Sequence, residues 1–468
     1  MNKNAIKNFS IWARRKLIAD VAYRAGLMGI TPEGIAKPLP QSTQTTEFYD
    51  IGTKDPYILT GDAISQRRRL VDTIRRKERD TNYATAYKYV LEEVAYTWFN
   101  RLIAIRFMEV NDYLPSHVRV LSSESGKLEP DLVTKPFDTD LVFSSEETEE
   151  IRRLHEAGDV DALFQLLFIK QCNALHEILP RLFERTSDVT ELLFRVSVVD
   201  PEGVVYKLVH DISEEDFNIE KGGQVEIIGW LYQYYNTEPK NEAFAKNGKI
   251  SKEEIPAVTQ LFTPDWIVRY MVENSLGRLW LDHDKAESGL SDEYMNASYY
   301  GWKYYVEDAP QTPEVEAKLA EYRRSKKDLT PDQITFLDPC MGSGHILVYA
   351  FDVFMDIYRV MGWSDRDAAQ RIIQKNLFGL DIDERAAQLA YFSLMMKARQ
   401  YDRRFFTRNL QPNVYSAKGY PEGEEFGSLI TVDELEPAPD FDHWTLHDGD
   451  YQQALNRWSF RSACPNSA

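Results

Sequence analysis

The sequence has few cysteines and no long apolar run, and each absence excludes a class of protein. Its 468 residues include only Cys172, Cys340 and Cys464, too few and too scattered for a disulfide framework or a cysteine-based zinc site. No apolar run reaches the roughly 18 residues of a membrane-spanning helix, and residues 1–20 lack the apolar core of a secretory leader. The sequence therefore predicts a cytoplasmic chain with no membrane segment and no metal site.

Positive charge is scarce overall, since 55 Lys and Arg oppose 74 Asp and Glu for a net charge of −19. This balance excludes a uniformly basic nucleic-acid binder but leaves room for local basic faces. Residues 1–110 carry 18 Lys and Arg against 12 acids, whereas residues 421–450 carry ten carboxylates and no Lys or Arg. A polyanion, if bound, is expected at the N-terminal part, where residues 66–79 predict a helix with seven basic residues. That helix could lie along phosphates or form a solvated surface.

Hydrophobic periodicity divides the chain into three parts and predicts an α/β protein. Residues 1–240 are predicted to be mainly helical, beginning with an amphipathic helix over 4–26. One β-hairpin is expected near 194–209, where two β-branched runs flank Asp-Pro-Glu-Gly. Residues 241–420 alternate strand and helix patterns, and residues 421–468 are expected to form an acidic, irregular tail.

The segment ITFLDPCMGSGH, residues 334–345, carries the clearest chemical signal. Its first four residues predict a short strand that ends at Asp338, and Gly342 and Gly344 then permit a tight turn into the helix HILVYAFDVFMDIYRV. A glycine turn at the carboxyl edge of such a strand lets the backbone approach a ligand closely, because no Cβ intervenes. The unit therefore predicts a nucleotide-binding α/β sheet.

A second strand, NLFGLDID, ends in Asp381 and precedes another strongly helical run. A carboxylate at this position can accept hydrogen bonds from both hydroxyls of a ribose. The usual dinucleotide fingerprint fits poorly, because it requires three glycines and an acid about 20 residues further on, whereas Asp381 follows Gly344 by 37 residues. A nucleoside ligand without a pyrophosphate fits better, and S-adenosylmethionine is the obvious candidate.

Three motifs in matching order resemble those of amino-group DNA methyltransferases, especially N6-adenine enzymes. DPCMGSGH resembles their cofactor-binding motif and GLDID their ribose-binding motif, while QLFTPDWIVRYMVENSLGRLW resembles the motif that precedes the glycine loop. In that upstream motif, Thr263 is expected to cap a helix and Pro264 and Asp265 to suit its first turn. An ordinary capped amphipathic helix is the alternative for this stretch taken alone.

Further segments narrow the resemblance to one family. NAIKNFSIWARRKLI, GGQVEIIGWLYQYYNTEPKNEAF and the LFTPDWIV block are similar to the PglX (BrxX) adenine methyltransferases of BREX phage-defence systems, and the similarity covers residues 2–430 or so. It implies a mainly helical N-terminal domain followed by a Rossmann-like, S-adenosylmethionine-dependent methyltransferase fold that starts near residue 241. It also implies methylation of adenine N6 in double-stranded DNA, in cooperation with other BREX proteins.

The same resemblance assigns cofactor-binding residues but no catalytic or metal-binding residue. Asp338, Cys340 and Gly342 are expected to line the methionine portion of S-adenosylmethionine. Asp381 is expected to bind its ribose, Ile382 to lie against its adenine, and the Thr-Pro turn to close the other side. The complete expected set is Thr263, Pro264, Asp338, Pro339, Cys340, Gly342, Gly344, Asp381 and Ile382.

Two side chains in the glycine segment have competing interpretations. Cys340 follows a proline, as the nucleophile of cytosine-C5 methyltransferases does, but it precedes the glycine loop instead of lying in a separate, later motif. We therefore expect Cys340 to be a small buried wall residue. His345 lies in the first turn of the following helix, where capping or packing is favoured over catalysis.

Amino methyltransferases also need Asn-Pro-Pro-Tyr or a near variant, whose asparagine and aromatic ring hold the flipped target base. This chain contains no Pro-Pro pair. We therefore expect the Rossmann-like fold to be incomplete, the chain to be a truncated product, and the chain alone to be inactive. Two alternatives stay open, namely a non-catalytic interaction module of a defence complex with a vestigial cofactor fold, and methylation of another class of substrate.

Overall fold

A computed structural model describes most of the chain up to residue 417. The described residues are 1–79, 81–183, 189–246, 248–251, 254–288 and 296–417. All of them belong to one compact unit, Met1–Ala417. The predicted acidic tail, 421–468, lies outside the described residues, and the predicted division of the remainder near residue 240 stays a prediction.

Helices make up most of the described chain. The helices are α1 (Lys3–Leu27), α2 (Asp62–Glu78), α3 (Tyr83–Val110), α4 (Asp131–Thr134), α5 (Ser145–Ala157), α6 (Val160–Leu175), α7 (Val189–Leu193), α8 (Val204–His210), α9 (Glu214–Phe217), α10 (Ile227–Tyr235), α11 (Thr237–Ala245), α12 (Ile255–Thr259), α13 (Asp265–Val272), α14 (Arg278–Ser288), α15 (Ala297–Tyr300), α16 (Pro313–Arg324), α17 (His345–Val360), α18 (Asp365–Arg371) and α19 (Glu384–Tyr401). Within the described ranges, none of these helices is long and apolar enough to cross a bilayer.

The strands in the described ranges form three small sheets. Two are antiparallel pairs, and the third is parallel with its strands in consecutive order. The antiparallel pairs are β1 (Ile30–Thr31) with β2 (Gly34–Ile35) and β3 (Thr46–Tyr49) with β4 (Tyr57–Thr60). The parallel sheet is β5 (Phe336–Asp338), β6 (Leu377–Asp381) and β7 (Asn413–Ser416).

The first helix shows why the N-terminal part is helical. Phe9, Ala13, Leu17 and Val21 recur every fourth residue of α1, and all four are buried. This spacing places them on one face, which packs against α3 and α10. The amphipathic helix predicted over 4–26 is therefore confirmed, as is the helix predicted over 66–79, which lies in α2.

The β-hairpin predicted near 194–209 is wrong. Asp200-Pro-Glu-Gly does form a turn, in which the amide of Gly203 donates to the carbonyl of Asp200 at 2.8 Å. Gly203 then caps a helix instead of opening a strand, and Val204–His210 is α8. Val204 and Leu208 lie one helical turn apart and are both buried, so burial in the helical core overrides the β propensity of the valines.

Two strands of the parallel sheet lie where the sequence predicted them, and the third, β7, was not predicted. Asp338 ends β5 and Asp381 ends β6, and one helix after each strand, α17 and α19, follows the predicted helical run. Because the two strands are parallel, their carboxyl ends lie at the same edge of the sheet. This three-stranded parallel sheet with its helices is compatible with the predicted α/β class.

Candidate functional site

The turn between β5 and α17 depends on its glycines. Gly342 and Gly344 have φ angles of +53° and +84°, a region that side chains with a Cβ rarely adopt. A Cβ on Gly344 would lie 3.0 Å from the Cβ and 3.1 Å from the Cα of Ala390 in α19. Glycine therefore allows both the tight turn and the close approach of α19, and the turn lies at the carboxyl edge of the sheet.

Asp338 presents an acceptor atom that the described chain does not use. Its carboxylate is buried, and Oδ1 accepts a hydrogen bond from the amide of Cys340 at 3.1 Å. The other oxygen, Oδ2, is buried without a hydrogen-bond partner in the described part of the chain. Burial raises the pKa of the Asp338 carboxyl above its usual value, and the nearby charge of Asp381 raises it further. An unpaired buried oxygen costs stability, which a ligand donor would recover.

Asp381 connects the second strand to the glycine turn. Its Oδ2 accepts from the amide of Gly342 at 2.8 Å, and its Oδ1 accepts from the amide of Asp383 at 2.8 Å. An ionised carboxylate has about four acceptor positions, so two remain for a ligand. Ile382 follows with 59% of its surface exposed at the same edge of the sheet. The edge thus combines free carboxylate acceptors with an exposed apolar side chain.

The Thr-Pro segment lies beside the glycine turn, although its helix begins later than predicted. Pro264 is the N-cap of α13, no side chain caps the helix, and the carbonyl of Pro264 accepts the amide of Ile267 at 2.9 Å. The cap predicted at Thr263 is therefore wrong, because Pro264 itself has extended backbone angles and Thr263 lies one residue outside the helix. Phe262 stacks on His345 with ring centroids 4.2 Å apart, which brings the two motifs together.

His345 is a packed residue at the start of α17. Its ring is buried, and Nδ1 has no hydrogen-bond partner in the described chain. Burial lowers the pKa of His345 to about 4, although the charge of Asp265 and the backbone of Thr263 oppose this shift. The imidazole is therefore neutral at pH 7 and stacks on Phe262, in agreement with a packing role.

The His345→Phe variant is expected to resist acid better than the parent chain. Between 6.5, the ordinary pKa of histidine, and the folded pKa of about 4, the unfolded chain binds a proton that the folded chain does not. Stability is therefore lost as pH falls through this window, by about 2–3 kcal/mol at its lower end, and phenylalanine removes that loss. Urea unfolding at pH 7 and pH 4.5 measures the difference; equal acid sensitivity of both chains would contradict it.

Pro339 and Cys340 lie in the turn that follows β5. Both residues are exposed. The expectation that Cys340 is a buried wall residue is therefore wrong. The Asp338 carboxylate accepts a hydrogen bond from the amide of Cys340, not from its thiol.

The helical part contributes side chains that the sequence analysis did not identify. A Cβ on Gly229 of α10 would overlap the ring of Phe262 and lie 2.7 Å from Oγ of Ser343, so the helix packs directly against the glycine turn. One turn further along, the hydroxyl of Tyr232 donates to Oδ2 of Asp383. The segment GGQVEIIGWLYQYY carried the family resemblance, but nothing in it indicated these contacts.

Asp383 is also held from its own helix. The guanidinium of Arg385 donates to both carboxylate oxygens of Asp383 and lies 5.0 Å above the ring of Tyr96 from α3. Asp383 in turn donates its amide to Asp381. A chain of contacts thus runs from the helical part to the carboxylate at the end of β6.

The arrangement of these groups is suited to ligand binding. Carboxylate acceptors and backbone amides lie at the turn, and His345 is neutral, buried and stacked on Phe262. Within the described ranges, no group of three or more His, Cys, Asp or Glu could hold a metal ion. The structure brings seven of the nine expected residues to one sheet edge, with Thr263 and Pro264 adjoining through Phe262.

Comparison with known proteins identifies two similar methyltransferases. The chain is 49% identical over 423 residues to "Adenine-specific methyltransferase PglX" of Lacticaseibacillus casei (strain Zhang), covering 89% of this chain and 34% of that protein. It is 38% identical over 419 residues to "Adenine-specific methyltransferase BrxX" of Escherichia coli O9:H4 (strain HS), covering 89% of this chain and 32% of that protein. No family model matches. The predicted resemblance to PglX and BrxX is confirmed, and the chain spans about a third of the length of either relative.

Proposed function

We propose that this chain, similar to PglX and BrxX over 89% of its length, is the S-adenosylmethionine-binding part of an adenine-N6 DNA methyltransferase. The observation that carries the proposal is the unpartnered buried oxygen of Asp338 at the carboxyl edge of a parallel sheet. It lies beside a glycine turn and a second strand-end carboxylate, Asp381, as a nucleoside site requires.

The residues present fit S-adenosylmethionine, which supplies the methyl group when bound. In this assignment Asp338, Cys340 and Gly342 hold the methionine portion, whose ammonium suits the free acceptor of Asp338. Asp381 takes the ribose hydroxyls with its remaining acceptor positions, and Ile382 lies against the adenine. The other expected residues complete the walls, namely Thr263, Pro264, Pro339 and Gly344.

The strand order supports a Rossmann-like half. A doubly wound sheet runs outward from its first strand through its second to its third on one side, and then continues on the other side. The consecutive order β5, β6 and β7 is the same as that of the first side. In this proposal the described sheet is the cofactor half of an incomplete Rossmann-like fold.

The proposed reaction needs more than the 468 residues. No Pro-Pro pair occurs in them, so the Asn-Pro-Pro-Tyr motif that orients a target adenine is absent. The whole protein is proposed to methylate adenine in double-stranded DNA in the cytoplasm, as a BREX phage-defence enzyme acting with other BREX proteins. This chain alone is proposed to bind the cofactor without transferring its methyl group.

Purified chain is expected to bind S-adenosylmethionine saturably in a calorimetric titration and to transfer no labelled methyl group to double-stranded DNA. S-adenosylhomocysteine should compete, since it retains the ribose, the adenine and the amino acid portion. Label in adenine would show that the chain is active alone. Absence of cofactor binding, together with stable complexes with other defence proteins, would replace the proposal by the interaction-module alternative.

A further inference from the structure

The outward side of α2 is an arginine face. The residues on the opposite side of this helix, including Ile64, Leu70, Val71 and Ile74, are buried against the protein. The exposed basic residues lie together on the outward side, since positions three, four and seven apart share one face of a helix. The arginine face consists of Arg68, Arg69, Arg75, Arg76 and Arg79.

Three cations of this face are not neutralised by the described chain. Arg68 pairs with Glu47 at 3.0 Å. Arg75, Arg76 and Arg79 have no ion pair or side-chain hydrogen bond with any residue in the described ranges. Between Arg68 and Arg79 the one exposed carboxylate belongs to Asp72. In a chain of net charge −19, three exposed arginines without a partner among the described residues require an explanation.

The other basic cluster of the N-terminal part behaves differently. In α1, Arg14 pairs with Glu92 at 2.7 Å, Arg15 pairs with Glu238, and Lys16 pairs with Asp20 at 2.5 Å. The carboxylates in these pairs offset the positive charge that α1 presents to a polyanion. Of these two basic clusters, α2 is therefore the one in which several exposed arginines, Arg75, Arg76 and Arg79, lack an ion pair within the described ranges.

The composition of the arginine face favours phosphates over a protein partner. Every exposed residue of α2 is polar or charged, whereas the centre of a protein interface is apolar and depleted of charge. Arg75 and Arg79 lie one turn apart, about 6 Å along the axis, so the face presents a row of guanidiniums. Rows of Arg and Lys without apolar neighbours are what sequence-independent contact with a nucleic-acid backbone uses.

We infer that Arg75, Arg76 and Arg79 contact the phosphate backbone of a DNA duplex. The inference rests on the proposed function, since it places a contact for the same substrate away from the cofactor residues. Phosphate contacts position a protein on DNA without reading its sequence. The arginine face therefore binds DNA of any sequence, with an affinity that falls steeply as salt rises.

The test compares the whole chain with a triple variant, Arg75→Gln, Arg76→Gln and Arg79→Gln. Binding of a fluorescent 20-base-pair duplex is followed by anisotropy from low to moderate salt. The slope of log affinity against log salt should become shallower by about 1 for each lost contact, hence by ~3 in the triple variant. The matching Arg→Lys triple variant should keep the slope, because phosphates need the charge.

A charge-matched control separates a local contact from a general effect. Arg152, Arg195 and Arg403 are exposed arginines of other segments, and their change to glutamine alters the net charge equally. This control should keep the slope of the parent chain. An equal loss in the control, or an unchanged slope in the α2 variant, overturns the inference. If the α2 variant loses binding to polyglutamate while its DNA binding is unchanged, the inference is also overturned, in favour of an acidic protein partner.

Cofactor titration of the same proteins keeps the two proposals distinct. The α2 variant should bind S-adenosylmethionine as the parent does, because the arginine face shares no residue with the cofactor set. DNA binding that depends on α2 in a chain without cofactor affinity would remove the proposed function and leave this inference standing. If the chain binds the cofactor but its DNA binding does not depend on α2, the proposed function stands and this inference is overturned.

Discussion

Replacing Asp338 with asparagine is expected to weaken S-adenosylmethionine binding by about tenfold or more without reducing stability. A hydrogen bond to a charged group contributes about 1.5–3 kcal/mol, and ~1.4 kcal/mol corresponds to a factor of ten. In the free protein the charge of Asp338 is buried and its Oδ2 is unpartnered, so the ionised side chain costs the fold free energy. Asparagine removes that charge while keeping the shape and an acceptor for the amide of Cys340.

Calorimetric titration and urea unfolding of the same preparations measure both effects. Asp332→Asn is the matched control, because Asp332 is an exposed carboxylate six residues earlier and changes the net charge equally. The affinity of the parent chain should also fall on acidification, since burial raises the pKa of Asp338 and its protonated form does not attract an ammonium. Unchanged cofactor affinity in Asp338→Asn would remove Asp338 from the site.

Gly344→Ala is expected to destabilise the chain by about 2–5 kcal/mol. About 1–2 kcal/mol comes from placing a Cβ at a positive φ, and about 1–3 kcal/mol from pressing that atom into a packed interior. The neighbour is Ala390, whose Cα would lie 3.1 Å from the new atom, so α19 itself must move. Denaturant unfolding gives the free-energy difference directly.

Gly362→Ala isolates the backbone contribution. Gly362 has a φ of +80°, close to the +84° of Gly344, but a Cβ there meets nothing within 4 Å. The control should therefore lose only the backbone share, about 1–2 kcal/mol. Equal losses of stability in Gly362→Ala and Gly344→Ala would mean that the close packing of α19 against the turn does not require glycine at position 344.

The parts of this fold that were predictable are those with strong local signals. The glycine turn, the strand-end acids Asp338 and Asp381, and the helices that follow them each rest on a few consecutive residues. A period of about four in α1 was sufficient to identify its buried face. The first two parallel strands followed from the same local patterns, whereas the third, β7, was not predicted.

The parts that were missed depend on contacts between distant residues. The valines of α8 have a local preference for a strand, but they are helical in the structure because burial in the core outweighs that preference. The exposure of Cys340 depends on how the rest of the chain packs around the turn, which the neighbouring residues do not indicate. Gly229 and Tyr232 touch residues 114 and 151 positions away, and no local pattern encodes such pairs.

The fit of Gly229 against Phe262 and Ser343 limits how this chain can be recombined with its relatives. A crossover placed between α10 and the Thr-Pro segment joins a helix from one parent to a glycine turn from another. Since a single Cβ at position 229 overlaps the ring of Phe262, only a parent that supplies glycine there yields a compatible chimera. In the design of chimeric proteins, the segments around Gly229, Phe262 and Ser343 should therefore come from the same parent.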